Sequence, residues 1–179
     1  MVIRLLVVTR CACVACSSSV DLFLLRHGIA EPRREGLDHP SRALTSQGKT
    51  RTQAMLAWLA ASGLEVDRLI SSPYTRALQT AWLVHQARLS PAPELSPHLA
   101  PRGDLQRLLP QLQGRCLLVG HEPELSAWAS LLIGASPGGL RLRKAGCCHL
   151  RLSRSGAGGS VEAQLEWLLR PGLLRRSAD

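Results

Sequence analysis

Four short segments of the 179-residue chain carry residue types that together could move a phosphoryl group. Arg26-His27-Gly28 follows directly on the apolar run Val20 to Leu25. Ser71-Ser72-Pro73 with Arg76, Gly120-His121-Glu122-Pro123, and Ser41-Arg42-Ala43-Leu44-Thr45 complete the set. A phosphoryl group spreads its charge over several oxygens, so binding it needs fixed positive charge and donors already in place. Arg26 and Arg76 each offer a planar fork to two oxygens. Helices opening at Pro73 and Pro123 would turn amides and positive dipole ends toward the same oxygens. Gly28 would let the backbone approach a ligand without a side chain in the way. Ser72 and Glu122 stand beside these groups and are read as substrate contacts.

His27 is the candidate nucleophile. Neutral imidazole can attack near pH 7 because its unperturbed pKa is about 6.5. The flanking arginines would hold it neutral and receive the phosphoryl group. The product is a phosphohistidine enzyme that water then hydrolyses. His121 has a different role, donating to the equatorial oxygens as charge rearranges.

These residues need a scaffold, and the pattern around them supplies one. Val20 to Leu25, Arg68 to Ile70 and Cys116 to Val119 are short apolar runs that read as buried strands. The stretch Ala30 to Pro40 is charged and broken by Pro32, Gly36 and Pro40, so it reads as a loop. Thr45 or Ser46 caps a helix running to about Ser62, with Met55, Trp58, Leu59 and Ser62 on one face and Gly63 as the stop. Ser72 caps a second helix with Pro73 in its first turn. Four prolines, Pro91 to Pro101, mark an irregular connection with a short strand near Glu94. Asp104 to Leu112 is a short helix, and Pro123 begins another that ends near Gly134. Cys147 to Leu152 and Val161 to Leu169 form a closing hairpin around Gly156 to Gly159. Strand and helix alternate, so the expected fold class is α/β. It is a three-layer sandwich with a mostly parallel central sheet and helices on both faces. Ligands bind beyond the carboxyl ends of such strands. Arg26-His27, Ser71-Ser72 and Gly120-His121 all occupy turns at that end.

Composition narrows the alternatives. Apolar residues make up 45% of the chain, enough for one buried core, whereas aromatic residues are only 3%. That scarcity disfavours base stacking, and no nucleic-acid-binding motif accompanies the basic clusters Arg141-Arg143-Lys144 and Arg170-Arg175-Arg176. The net charge of +9 fits either a basic surface or an anionic partner. No apolar run approaches the roughly 20 residues that span a bilayer. The six cysteines lack the spacing of a disulfide framework and read as reduced thiols of a cytoplasmic protein. Cys11, Cys13 and Cys16 have no fourth ligand at finger-like spacing, so no metal is expected there. The expected boundaries are a disordered extension or misassigned start over 1–19 and one catalytic domain over 20–179. A targeting peptide is the competing reading of 1–19, weakened by Arg10 interrupting the apolar stretch.

The segments Leu24-Leu25-Arg26-His27-Gly28, Arg42-Ala43-Leu44-Thr45, Ser71-Ser72-Pro73 with Arg76-Ala77 and Gln79-Thr80, Leu99-Ala100-Pro101, and Val119-Gly120-His121-Glu122-Pro123 resemble the histidine phosphatase superfamily. The family has the phosphoglycerate mutase-like fold, and the resemblance is strongest to its small phosphohistidine phosphatase branch. It implies that His27 is phosphorylated in turnover and that Arg26, Arg76 and His121 complete the phosphate pocket. It also implies a substrate contact by Arg42. The proposed chemistry requires no metal and no ligand cluster demands one, so no cofactor is expected. Larger members carry a glutamate acid after the second helix, where this chain has Pro101. Glu94 and Asp104 flank that place as the candidate acids. The segment between Thr80 and Arg115 is also too short for the family's inserted helical lid.

Leaving-group chemistry fits these departures. An alkoxide is very basic and needs a proton donor, whereas an imidazole leaving group has a pKa near about 6.5. The expectation is therefore a phosphohydrolase acting on phosphohistidine of a protein such as a phosphotransfer domain or carrier. Nucleic acid and membrane are not expected partners. A small-molecule phosphomonoesterase and an inactive phosphate-binding module are the alternatives.

Overall fold

The eight residues Ser19–Arg26 form strand β1, and their alternation builds both cores of the molecule. Successive strand side chains point to opposite faces. Leu22 and Leu24 therefore enter one core, and Phe23 and Leu25 enter the other. A computed structural model describes residues 19–33, 35–154 and 161–172. The expected extension, except Ser19, lies outside the described residues. So do Cys11, Cys13 and Cys16, the turn Gly156 to Gly159, and Arg175 and Arg176.

After β1 come helix α1 (Ser46–Ala61), strand β2 (Arg68–Ser71), helix α2 (Thr75–Gln86) and the two-residue strand β3 (Glu94–Leu95). Two 3-10 segments, Pro97–Leu99 and Leu105–Gln111, lead to β4 (Arg115–Gly120), α3 (Glu124–Leu132), β5 (Cys147–Arg154) and β6 (Val161–Leu169). The sheet order is β3-β2-β4-β1-β5-β6. The first four of these are mutually parallel. The terminal hairpin β5-β6 adds antiparallel to β1. Phe23, Leu25, Leu69, Leu117 and Val119 pack beneath α1 and α2. Leu22, Leu24, Ile70 and Leu118 pack beneath α3 and the 3-10 segments. Helical layers thus cover both sides of the sheet, giving the expected three-layer α/β architecture. Between α2 and β4 the chain holds only β3 and the two 3-10 segments. Among the described residues no helix is long and apolar enough to cross a membrane.

Three local expectations differ from the structure. The buried face of α1 is Gly48, Thr52, Met55, Leu56 and Leu59, while Trp58 is 40% exposed. Gly48 must lie against the backbone of Ile29, which rotates the packed face away from Trp58. Helix α2 begins at Thr75 with Tyr74 at its N-cap, two residues later than expected. Ser72 instead closes a local turn by accepting the Tyr74 N–H at 3.2 Å. Finally, Leu105–Gln111 is a 3-10 segment rather than an α-helix. Pro110 has no N–H to give a carbonyl four residues back, and the flanking turns close over three residues instead.

Candidate active site

The sheet register sets the catalytic end. Arg26 stands opposite Gly120 across β1 and β4, and Ser71 stands opposite Val119 across β2 and β4. The pairing continues one residue past each strand. The His27 N–H donates to the Gly120 carbonyl at 3.1 Å, and the Ser72 N–H donates to that of Val119 at 2.9 Å. His27, Ser72 and His121 therefore leave three adjacent strand ends side by side. Both imidazoles are buried, and their ring centroids lie 5.0 Å apart.

The hydrogen bonds assign the His27 tautomer. Its Nδ1 lies 2.7 Å from the Gly28 carbonyl, which can only accept, so Nδ1 carries the proton. Nε2 then holds the lone pair. Arg76 agrees, because its Nε–H donates to that Nε2 at 3.3 Å. Burial, then His121, then the two arginines push the His27 pKa down to about 3. His27 is thus a neutral imidazole at physiological pH whose Nε2 electron pair faces an arginine.

His121 is neutral for similar reasons. Burial, then Arg76, Arg26 and Arg42, bring its pKa down to about 3. Its Nε2 lies 2.8 Å from the Ser72 hydroxyl. That hydroxyl oxygen also accepts the Tyr74 N–H; with its own proton directed to Nε2, His121 would hold its hydrogen on Nδ1. Nδ1 is buried without a protein partner, which leaves it open to a ligand. The Tyr74 ring covers His121 edge-on and lies 4.9 Å from the Arg76 guanidinium carbon. Ser72 holds the His121 ring in place through this contact.

Arg76 is only 1% exposed and spends its remaining nitrogens on Asp38 at 2.9 Å and the His39 carbonyl at 3.4 Å. Arg42 reaches the same Asp38 at 2.7 Å and the Glu31 carbonyl at 2.7 Å. One loop carboxylate thus clamps two of the candidate phosphate-binding arginines. Sequence patterns missed Asp38 because its loop has no periodicity; its four-residue spacing from Arg42 was the available signal.

Arg26 is tied more loosely. One terminal nitrogen donates to the Leu142 carbonyl at 3.0 Å, while its Nε is buried and unpartnered. Behind it, Ser126 donates to Glu122 at 2.8 Å and accepts the Leu142 N–H at 2.9 Å. Burial raises the Glu122 carboxyl above its ordinary range, against the opposing pull of Ser126 and Arg26. Glu122 is thus linked to Arg26 through Ser126 and Leu142.

Gly28 differs from its expected role. Its N–H donates to Thr80, and a Cβ there would stand 2.6 Å from the Thr52 hydroxyl of α1. Close packing, rather than ligand approach, requires this glycine. The amides opening α2 are also spent internally: Tyr74 donates to Ser72 and Thr75 to the Pro40 carbonyl. The two flanking acids are engaged elsewhere. Glu94 pairs with Arg68 at 2.6 Å, and Asp104 caps the second 3-10 segment and pairs with Arg107 at 3.1 Å.

Comparison with known proteins agrees with this geometry. A family model for the histidine phosphatase superfamily (branch 1) matches residues 22–100. An uncharacterized protein of Picosynechococcus sp. is 34% identical over 160 residues, covering 85% of this chain and 97% of that protein. Phosphohistidine phosphatase SixA of Escherichia coli (strain K12) is 32% identical over 115 residues, covering 58% of this chain and 68% of the relative. A solved structure of the protein histidine phosphatase SixA complexed with tungstate superposes with a TM-score of 0.70 at 25% identity. That match covers 86% of this chain and 99% of the other. With the paired histidines and arginines at the strand ends, the chain belongs to the histidine phosphatase superfamily and to its SixA-type branch.

Proposed function

We propose that this phosphatase removes the phosphoryl group from phosphohistidine on a protein, through a phosphohistidine intermediate on His27. The observation that carries the proposal is the His27 ring itself, with its proton held on Nδ1 by Gly28 and its Nε2 lone pair beside Arg76. Nε2 attacks phosphorus, and the bond from phosphorus to the substrate imidazole breaks. That imidazole leaves with a proton from solvent. Arg26, Arg76, Arg42 and the His121 Nδ1–H receive the equatorial oxygens. Water then attacks the phosphorus, the bond to Nε2 breaks, and inorganic phosphate departs.

The protein substrate is supported by the carboxylates. Glu94 and Asp104 are both paired away from the histidines. A leaving group that needs little acid help suits such a site. The absence of a helical insert between α2 and β4 leaves room for a bulky substrate. A second reading, hydrolysis of a small phosphate monoester, rests on Glu122. Its raised carboxyl could hold a proton for an alkoxide.

Trapping with a labelled phosphoryl donor tests the intermediate. Label on the parent should be acid-labile and alkali-stable, and His27→Ala should carry none. Label kept by the variant would remove His27 from the mechanism. Parallel turnover of a phosphohistidine protein and of sugar phosphates separates the two substrate readings.

A further inference from the structure

The turn joining α3 to β5 carries positive charge that one phosphoryl group does not use. Arg141, Arg143 and Lys144 are all exposed, and no acid occurs between Leu140 and Gly146. Among the described residues none of the three has an ion-pair partner. The Asp38 loop behaves differently, because Arg33, Arg42 and Arg76 all share Asp38.

This turn is locked onto the catalytic strand. The Gly146 N–H donates to the Arg143 carbonyl at 2.7 Å, closing the turn around Lys144. The Ala145 N–H lies 3.1 Å from the Arg26 carbonyl and 3.2 Å from that of His27. The Arg26 N–H returns a bond to the Gly146 carbonyl at 3.0 Å, and the Arg26 side chain holds Leu142. Ala145 is buried with φ of 58°, a left-handed conformation unusual for alanine. Such a conformation persists where the surroundings over-determine it. Lys144 is therefore presented from a fixed point one residue away from a direct bond to the nucleophile's backbone. Burial and the fields of Arg26, Arg42 and Arg33 lower its pKa, in keeping with a position over the phosphate pocket.

We infer that Lys144, supported by Arg141 and Arg143, is a specificity-determining contact that reads acidic side chains flanking the phosphohistidine of a protein substrate. The inference rests on the proposed function and names its substrate more narrowly. Once a phosphoryl group engages Arg26, Arg76 and His121, this turn remains unneutralised. A neutral or basic neighbour of the phosphohistidine would leave it so, whereas aspartate or glutamate would complete it. Exposed charge pairs of this kind act on encounter and binding more than on chemistry.

Two phosphohistidine peptides of equal length test this, one flanked by glutamates and the other by lysines. The parent should favour the glutamate peptide by about tenfold in kcat/KM, mostly through KM and less at high salt. Lys144→Glu should reverse the order, raising turnover of the lysine peptide, and Lys144→Arg should keep the parent preference. The gain for the lysine peptide cannot come from a misfolded enzyme. Equal use of both peptides by the parent, or an unchanged ratio in Lys144→Glu, overturns the inference. So does a stronger, Lys144-dependent preference for a small doubly phosphorylated compound over the glutamate peptide. A parent that releases phosphate from neither peptide fails the underlying function instead.

Discussion

The Nε–H of Arg76 points at Nε2 of His27 from 3.3 Å, so the arginine proposed to bind the phosphoryl group engages the lone pair of the proposed nucleophile before substrate arrives. Attack requires that this donor pass to a phosphoryl oxygen. Lysine has no planar fork with which to make that exchange. Arg76→Lys should lower kcat by about 100-fold or more, the scale of losing one preset transition-state donor. Single-turnover kinetics would check it. A loss confined to KM would place Arg76 in ground-state binding only.

The two buried histidines make stability depend on acid. Both have native pKa values of about 3 against about 6.5 when unfolded. Between those values the unfolded chain binds more protons than the native one. Stability is therefore full above pH 6.5 and falls as pH drops toward 3. The slope approaches roughly 1.4 kcal/mol per pH unit for each histidine, and the two add where both rings are neutral in the native state and protonated in the unfolded chain. Denaturant unfolding from pH 7 to 4 should show the slope, and His121→Asn should flatten it.

Adding inorganic phosphate reverses part of this effect. A dianion between the rings favours their protonated forms, so saturating phosphate should raise both histidine pKa values. Ring-proton NMR titration should show the movement in the parent. No movement on phosphate addition would separate these rings from the anion site.

Asp38 holds Arg76 and Arg42 in the resting site and competes with any arriving anion. Asp38→Asn should tighten inorganic phosphate inhibition by about fivefold, a modest Coulombic effect for a partly exposed group. It should also lower kcat, because the two guanidinium groups lose their common anchor. Weaker phosphate binding would mean that Asp38 acts only as a brace.

Gly28→Ala should destabilise the fold by about 1–3 kcal/mol, the usual cost of forcing a methyl group into a filled space. The added Cβ meets the Thr52 hydroxyl at 2.6 Å. Thr52→Ala in the same chain should recover part of the loss. Thermal unfolding of the two single variants and the double variant measures that coupling.

The histidines and arginines of the site were legible in the sequence because each follows an apolar strand that ends in a recognisable turn. The sheet order then does the rest, and Arg26-His27, Ser71-Ser72 and Gly120-His121 meet as expected. What stayed hidden depends on three-dimensional packing. Asp38 lies in an aperiodic loop, and Lys144 looks like any surface cation until the bonds of Ala145 to Arg26 and His27 are seen. The packing need at Gly28 is hidden because Thr52 lies 24 residues on, across a helix crossing that no local pattern reveals. The start of α2 is equally hidden, because serine before proline signals a cap, whereas here Ser72 is held by His121 and Tyr74.

The register of β1 on β4 has one further effect. The gap between the His27 and His121 rings is inherited from neighbouring backbones, whose spacing in any sheet is about 4.8 Å. Insertions in the surrounding loops can reshape the entrance without altering that interval. Substrate range and reaction chemistry are thereby mechanically decoupled, and the same reactive pair can be carried unchanged behind very different doorways.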